Sequence, residues 1–416
     1  MQEGPLRIPG FRLLLAGQFA SMLGDCCYAV ALPWLVLGGR GGTALLGTVL
    51  ACYGVARAAT IPLGGVLADR WGGRRIMLGA DAVRAAAVAA LAAVSAAGAP
   101  GVLALVLPAL LLGVGSGLFL PASYTLLPAL LPAGQLGRGN ALSTMANQLG
   151  GVLGPSLGGL LVALWGSTPA LLVDAGSFAL SAAVLVGLRP GRTAERTEGA
   201  APGGEGPGFA EVLRRGRLLH VVMVVALVCN LAFNGTMEVA LPDWAHRDLG
   251  PADYGALLTV LSIGSLVGSA IAAKARPAQQ PARLFAALAA VMGLGLAGVP
   301  YAGGAVGAGA CIAVYSVASG WQNIVAVTML QTWTPARLLG RVMSMVMLAV
   351  TGSFPVSVAL AGLAVHRLGP APFFPVAGTV IALAVALALA QPAFRRHRHG
   401  EVFGAGSGRA EVRGTA

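Results

Sequence analysis

Long apolar stretches alternate with short polar breaks along nearly the whole chain. Each stretch is close to or longer than the ~20 residues that a helix needs to cross the hydrocarbon core of a bilayer. The breaks coincide with charged residues or with Gly/Pro clusters. The pattern predicts twelve transmembrane helices, at about 11–38, 44–68, 76–97, 101–131, 139–165, 169–188, 218–242, 253–273, 283–300, 304–331, 340–365 and 371–391.

The composition also indicates a membrane protein. Of 416 residues, 56% are hydrophobic and only 10% are charged, whereas soluble domains carry roughly 25% charged residues. A net charge of +12 would suggest nucleic acid in a soluble protein. Here the arginines occupy loops between apolar stretches, so the expected partner is the lipid bilayer and not nucleic acid. We find no phosphate-binding loop, metal-ligand cluster or serine nucleophile with a base, and therefore expect no enzyme activity, metal or cofactor.

Lysine and arginine residues fall mainly on one side of the predicted helices. The loops on the side of the N-terminus hold most of them, and the opposite loops hold only Arg40, Arg247 and Arg367. By the positive-inside rule, both termini are predicted to be cytoplasmic. The strong excess of arginine over lysine, with abundant Ala and Gly, indicates a GC-rich bacterial genome and hence a bacterial plasma membrane.

A polar stretch divides the predicted helices into six and six. Residues 1–188 form the N-terminal half and residues 218–391 the C-terminal half. Residues 189–217 are predicted to be a flexible cytoplasmic linker, and residues 392–416 a basic disordered cytoplasmic tail that contacts anionic lipid headgroups. The halves echo each other, since Val-Ala-Leu-Pro occurs at both 30–33 and 239–242. Two parallel halves would place a substrate site between them, near the middle of the membrane.

The loop between the second and third predicted helices has the most distinctive sequence, GGVLADRWGGRR. It resembles the signature loop between helices 2 and 3 of major facilitator superfamily (MFS) transporters. The resemblance implies the MFS fold, an all-α polytopic membrane protein with twelve transmembrane helices in two pseudo-symmetric six-helix halves. It also implies a gate in which the acid faces a helix N-terminus of the other half. The alternative is a charge cluster that only sets topology. The residues that carry the pattern G-x-x-x-D-R-x-G-x-R-R are Gly65, Asp69, Arg70, Gly72, Arg74 and Arg75.

The fifth predicted helix carries a second motif, G-x-x-x-G-P-x-x-G-G, that resembles the antiporter motif of MFS exporters. One face of this helix lacks side chains and its proline bends it, so it can pack closely and seal a cavity. Ordinary helix packing is the alternative. The family's further glycine is Ala141 here, and the arginine that many proton-coupled members carry in helix 4 is absent from residues 110–117. The motif consists of Gly150, Gly154, Pro155, Gly158 and Gly159.

Ionisable residues inside predicted helices are candidates for proton coupling, because each is costly in the membrane unless it is paired or hydrated. Asp25 and Arg57 lie at similar predicted depths and are expected to pair beside the cavity. Asp25 is the best candidate for the proton carrier, and a purely structural ion pair is the alternative. Glu238 lies nearer the outer face, where it either titrates from outside or pairs with Arg40 or Arg247.

Further polar residues are expected at the inner face and in the cavity. Asp81 and Arg84 can bond on one helix face and are predicted to join the charged loop in an inner-face network. Asp174 lies a turn into the sixth helix, and the sequence indicates no partner for it. The residues predicted to line the substrate cavity, or else to bond one helix to another, are Asn147, Gln148, Asn230, Asn234, Trp321, Gln322 and Asn323.

Both motifs, together with FASMLGD in the first helix, are most similar to the drug:proton antiporter branch of macrolide-efflux and enterobactin-exporter-like proteins. The resemblance implies a monomeric secondary active transporter of the multidrug-resistance type. It would export a small amphipathic molecule, such as a drug, an antibiotic or a siderophore-like compound, by alternating access in exchange for protons. Two alternatives stay open: a facilitator or importer of a small nutrient, and a lipid-handling membrane enzyme or scramblase. We expect Asp69→Asn to weaken transport while the protein stays folded.

Overall fold

The computed structural model describes residues 5–39, 41–98, 100–132, 135–188, 214, 216–275, 279–335 and 338–395. Most of the predicted linker 189–217 and of the predicted tail 392–416 lies outside the described residues. The same holds for Arg40, so the predicted pairing of Glu238 with Arg40 stays a prediction.

Twelve helices in the described part of the chain are long and apolar enough to cross a membrane. Their number and approximate positions confirm the prediction, and the largest difference is that the seventh helix continues to Asp248. A short helix, α13 (Pro392–Arg395), follows the last of them. The twelve are α1 (Pro9–Leu37), α2 (Gly42–Trp71), α3 (Gly73–Ala97), α4 (Val102–Leu130), α5 (Leu136–Trp165), α6 (Ser167–Gly187), α7 (Arg217–Asp248), α8 (Pro251–Lys274), α9 (Pro281–Gly298), α10 (Gly304–Trp333), α11 (Leu339–Leu368) and α12 (Phe373–Ala390).

Helix α7 changes its winding within the membrane. It is α-helical over Arg217–Gly235, forms a π-helical turn over Thr236–Ala240, and is α-helical again over Leu241–Asp248. A π-helical turn is rare and re-aims the side chains around it, and it is frequent at functional sites. Glu238 occupies the centre of this turn.

Contacts between Cα atoms group the residues into two compact units. The first comprises Met1–Arg196, Met237–Ser262 and Phe354–Pro370. Within it, α1 packs against α5 and α6, α2 against α4, and α3 against α4 and α6. A buried apolar cluster that includes Phe11 and Met77 joins the helix ends nearest the α2–α3 loop. The two helix ends that the charged loop joins therefore belong to this cluster.

The second unit comprises Thr197–Thr236, Ile263–Ser353 and Ala371–Ala416. Within it, α9 packs against α10 and α12, and α12 packs against the first segment of α7. Glycine allows α9 and α12 to approach closely: a Cβ on Gly293 would lie 2.8 Å from the carbonyl oxygen of Gly378. Small residues at helix crossings are the usual means of close packing in lipid.

Candidate functional site

A cavity of roughly 560 Å³ lies within the first unit. Its size falls within the range of sites for small molecules. Apolar side chains such as Leu32 and Phe354 share its wall with a larger number of polar and charged groups than a membrane interior normally contains. These groups are Gln18, Ser21, Asp25, Tyr28, Tyr53, Arg57, Arg84, Ser116, Ser123, Asn147, Asp174 and Glu238.

Three side chains contact the guanidinium group of Arg84 on α3. Its guanidinium pairs with Asp81, one turn earlier on the same helix. Its Cζ atom lies 4.3 Å from the ring centres of both Phe119 and Phe178, a distance at which cation–π attraction operates. Asp81 is fully buried and Arg84 is 4% exposed. The predicted ion pair is therefore present.

The position of this pair differs from the prediction. Asp81 and Arg84 lie roughly 12 and 16 Å along α3 from its first residue, at 1.5 Å per residue. That depth is near the middle of the helix, and Arg84 lines the cavity. The predicted inner-face network with the α2–α3 loop is wrong, because the pair belongs to the membrane interior.

Glycines on neighbouring helices make room for the charged groups. A Cβ on Gly115 would lie 2.6 Å from the Cγ atom of Arg84, and a Cβ on Gly24 would lie 2.8 Å from Oδ1 of Asp174. Asp174 is 1% exposed, and neither of its carboxyl oxygens has a hydrogen-bond partner in the described part of the chain. The carboxyl for which the sequence indicated no partner is thus a buried and unsatisfied group on the cavity wall.

Asp25 and Arg57 both line the cavity, as their predicted depths suggested. Among the described residues, however, no ion pair joins them, and the Arg57 Nε atom is buried without a hydrogen-bond partner. The predicted ion pair between Asp25 and Arg57 is therefore wrong, although both side chains line the same cavity.

Glu238 lines the cavity from the π-helical turn of α7. The predicted pairing with Arg247 is wrong, because the Arg247 Nη2 atom lies 2.8 Å from Oδ2 of Asp243. These two residues are one helical turn apart in the last segment of α7, where they form an ion pair. Glu238 is left half-buried on the cavity wall.

The α2–α3 loop contains one arginine with a structural contact. Gly72 makes the turn with φ +85°, a conformation that glycine adopts without strain. Arg74 then donates from Nε to the carbonyl oxygen of Leu185 and from Nη2 to that of Val186, both at 2.6 Å. A cation on the free carbonyl groups at the end of α6 is favourable. Arg74 thereby fixes the loop to α6.

The other charges of the loop are exposed. Asp69, Arg70 and Arg75 are accessible to solvent, and the Asp69 carboxylate has no hydrogen bond or ion pair within the described ranges of the chain. The two glycines before it differ: a Cβ on Gly64 would lie 2.6 Å from the side chain of a proline on α4, whereas a Cβ on Gly65 would meet nothing within 4 Å. Helix packing therefore requires Gly64, and it leaves the motif residue Gly65 free.

The glycine face of α5 forms two close contacts. Gly150, Gly154 and Gly158 face α1, where added Cβ atoms would come within 2.9, 2.5 and 2.8 Å of α1 atoms. Gly159 faces α8, where a Cβ would lie 2.5 Å from the carbonyl oxygen of Pro251. Pro155 is buried between them. The predicted close packing of this face is present, and the sealing role stays a prediction.

Helices of the first unit also meet closely at the end opposite the α2–α3 loop. Thr43 on α2 donates to the carbonyl oxygen of Gly362 on α11 at 3.2 Å, and a Cβ on Gly362 would lie 2.9 Å from the Cα atom of Gly47. Trp34 on α1 stacks on His246 of α7, with ring centres 5.5 Å apart. Backbone contacts thus join α2 to α11 at this end, and a ring stack joins α1 to α7.

Of the residues predicted to line the cavity, Asn147 does so. Gln148 is exposed on α5, and the others belong to the second unit. Buried Gln322 donates to the carbonyl oxygen of Phe285 at 3.0 Å, so its amide bonds α10 to α9. Asn230 donates to a carbonyl oxygen of its own helix at 2.8 Å. The remaining three residues are half-buried Asn234 and Trp321 and exposed Asn323.

The cavity residues Tyr28, Tyr53 and Asp174 were missed by reasoning from sequence. A tyrosine inside an apolar stretch is an ordinary membrane residue, so nothing in its pattern distinguishes these two. Asp174 could have been predicted as a functional residue, because an ionisable residue inside a membrane helix by itself indicates function.

Comparison with known proteins places this architecture among transporters. A sequence model of the Major Facilitator Superfamily matches residues 14–320. The multidrug efflux pump Tap of Mycolicibacterium fortuitum is 29% identical over 64% of this chain and 66% of the pump, so the chain spans slightly less than two thirds of that relative. The enterobactin exporter EntS of Shigella boydii serotype 4 (strain Sb227) is 25% identical over 80% of each chain. A crystal structure of the peptide transporter POT in complex with alafosfalin superposes with a TM-score of 0.73 at 17% identity, covering 93% of this chain and 95% of that one.

Proposed function

The chain belongs to the major facilitator superfamily, and on this premise we propose that it exports a small amphipathic molecule in exchange for protons. The observation that carries the proposal is the cavity, in which several carboxyl groups share one apolar-walled space with aromatic rings. Tap is named a multidrug efflux pump and EntS an enterobactin exporter, which supports export over import.

The charges of the cavity support proton coupling. Asp81 and Arg84 compensate each other, which leaves Asp25, Asp174 and Glu238 against Arg57 among the described residues that line the cavity. If all three carboxyls were ionised, the site would hold an uncompensated negative charge inside the membrane, which is costly. Protons or a positively charged substrate can remove this excess. Competition of protons and substrate for the same carboxyls is the simplest basis for their exchange.

The close packing at the end opposite the α2–α3 loop supports alternating access. On the orientation predicted by the arginine distribution, that end is the outer one. Helices that meet through glycine backbone can separate without extracting side chains from a core. We propose that these contacts form the outer gate, and that exposed Asp69 acts as the latch of the inner gate when the protein faces outward.

Whole-cell efflux of ethidium tests the proposal. Expression should lower the cellular ethidium content, and the lowering should disappear with a protonophore. Asp25→Asn, Asp174→Asn and Glu238→Gln should each reduce efflux at least tenfold. The matched control is Asp253→Asn, because Asp253 is an exposed acid at the start of α8 and does not line the cavity.

Each alternative function predicts a different result. An importer or facilitator would raise the ethidium content or leave it insensitive to the protonophore. A scramblase would flip fluorescent phospholipid in proteoliposomes equally well with Asp69→Asn. If efflux persists undiminished in all three cavity variants, the cavity carboxyls take no part in the mechanism, and the proposal is contradicted.

A further inference from the structure

An apolar groove of about 500 Å³ runs along the surface of the second unit, between the first segment of α7 and the end of α12. It is separate from the charged cavity, which lies in the first unit. Its wall consists of valine, leucine and alanine side chains, among them Val224, Val228, Leu383 and Leu387. Polar side chains line it only at one end, where His220 and Gln391 lie.

The length of the groove matches one leaflet of a bilayer. From Val380 to Gln391 the lining of α12 extends over eleven helical steps, or about 16 Å at 1.5 Å per residue. Half of a hydrocarbon core of ~30 Å is about 15 Å. A groove of this length that begins at the membrane interface extends to about the middle of the bilayer, the depth that one acyl chain occupies.

Basic residues lie on the helix segments next to the polar end of the groove. Arg217 and His220 are exposed on the first turn of α7, and Arg395 is exposed at the end of α13. The short helix α13 is held in place because Phe394 is buried and meets Phe285 edge to face, with ring centres 5.8 Å apart. It also contacts α7. The sequence contains no acidic residue between Arg217 and Met237 or between Ala371 and Gly400, so nothing on these segments neutralises the cluster.

We propose that this groove binds one anionic phospholipid, with an acyl chain along α7 and α12 and the phosphate at Arg217, His220 and Arg395. An apolar channel of one leaflet's depth that ends in exposed basic side chains is complementary to a lipid with an anionic headgroup. The arginine distribution in the sequence predicts that this end is cytoplasmic, where anionic lipids attract basic residues. The proposal depends on the membrane location of the protein and does not depend on its transport activity.

Native mass spectrometry of the purified protein with equal amounts of phosphatidylglycerol and phosphatidylethanolamine of identical acyl chains tests the headgroup. Wild-type protein should retain one phosphatidylglycerol in preference to phosphatidylethanolamine. Since each basic residue near an anionic headgroup contributes about fivefold, the double variant Arg217→Gln/Arg395→Gln should lose roughly 25-fold of this preference. The control Arg138→Gln/Arg283→Gln removes two other exposed arginines at helix starts and should keep it.

A second pair of variants tests the acyl chain. Ala384 lines the groove, whereas Ala386 is exposed on the same helix outside it. Ala384→Trp should remove the bound phosphatidylglycerol, and Ala386→Trp should retain it, with both proteins eluting as the wild type does in size exclusion. The proposal is overturned if Arg217→Gln/Arg395→Gln keeps the wild-type lipid ratio, or if both lipids bind equally to the wild type. A dimer that Ala384→Trp dissociates would instead identify a second copy of the chain as the occupant.

Discussion

The contact of Gly159 on α5 with the start of α8, which we propose as a further part of the outer gate, offers the sharpest test of that gate. In Gly159→Ala the new Cβ would lie 2.5 Å from the Pro251 carbonyl oxygen and 3.0 Å from the Gly255 Cα atom, whereas an ordinary contact begins at 3.4 Å. Both neighbours are backbone atoms, so α5 and α8 must separate by about 0.9 Å. Such overpacking costs about 1–3 kcal/mol. If these helices also separate during transport, the closed form loses roughly 5- to 150-fold in population relative to the open one.

The assay measures access to the cavity from outside. Leu32 lines the cavity and is 2% exposed, so Leu32→Cys in an otherwise cysteine-free chain reports opening through its rate of reaction with a membrane-impermeant maleimide on whole cells. Gly159→Ala should raise this rate by about 5- to 150-fold. Gly176→Ala is the matched control, because a Cβ on Gly176 would meet nothing within 4 Å. An unchanged rate in Gly159→Ala, in protein that is folded and monodisperse, would refute the reasoning.

Three further substitutions separate structural roles from transport roles. Arg74→Ala should lower the Tm in detergent, because two hydrogen bonds to α6 worth about 1–2 kcal/mol are lost, whereas Arg75→Ala at an exposed position should leave the Tm unchanged; equal effects would contradict the capping role. Gly64→Ala should reduce the yield of folded protein through its contact with α4, while Gly65→Ala should fold normally, as fluorescence-detected size exclusion will show. Arg84→Met should destabilise the protein by about 3–5 kcal/mol, because the buried carboxylate paired with it loses its cation; an unfolding midpoint in detergent that equals the wild-type value would contradict this.

Local patterns in the sequence were sufficient for the helices and for contacts within a single helix. The apolar stretches predicted twelve spans, because a membrane requires about 20 apolar residues in each. The i,i+3 spacing of Asp81 and Arg84 predicted their ion pair, and the glycine spacing on α5 predicted a face for close packing. Each of these depends on helix geometry that is visible without knowing which helices are neighbours.

Contacts between helices that are far apart in the sequence could not be predicted from local patterns. Arg74 bonds to α6 more than a hundred residues away, and the order of helices in space is what brings α6 to the loop. Arg84 lines the cavity because Phe119 on α4 and Phe178 on α6 contact its guanidinium and Gly115 leaves room for its side chain. The π-helical turn around Glu238 had no composition signal, since Thr, Met, Glu, Val and Ala also form ordinary α-helix.

Proton release on addition of substrate tests the central claim most directly. Inside-out membrane vesicles are energised until their interior is acidic, and a pH-sensitive dye follows that acidity when ethidium or tetraphenylphosphonium is added. Wild-type protein is predicted to release protons from the vesicles as the probe enters, and the double variant Asp25→Asn/Asp174→Asn, present in the membranes in comparable amount, should release none. Probe accumulation without any proton release, or release that the double variant leaves intact, would contradict exchange through the cavity carboxyls.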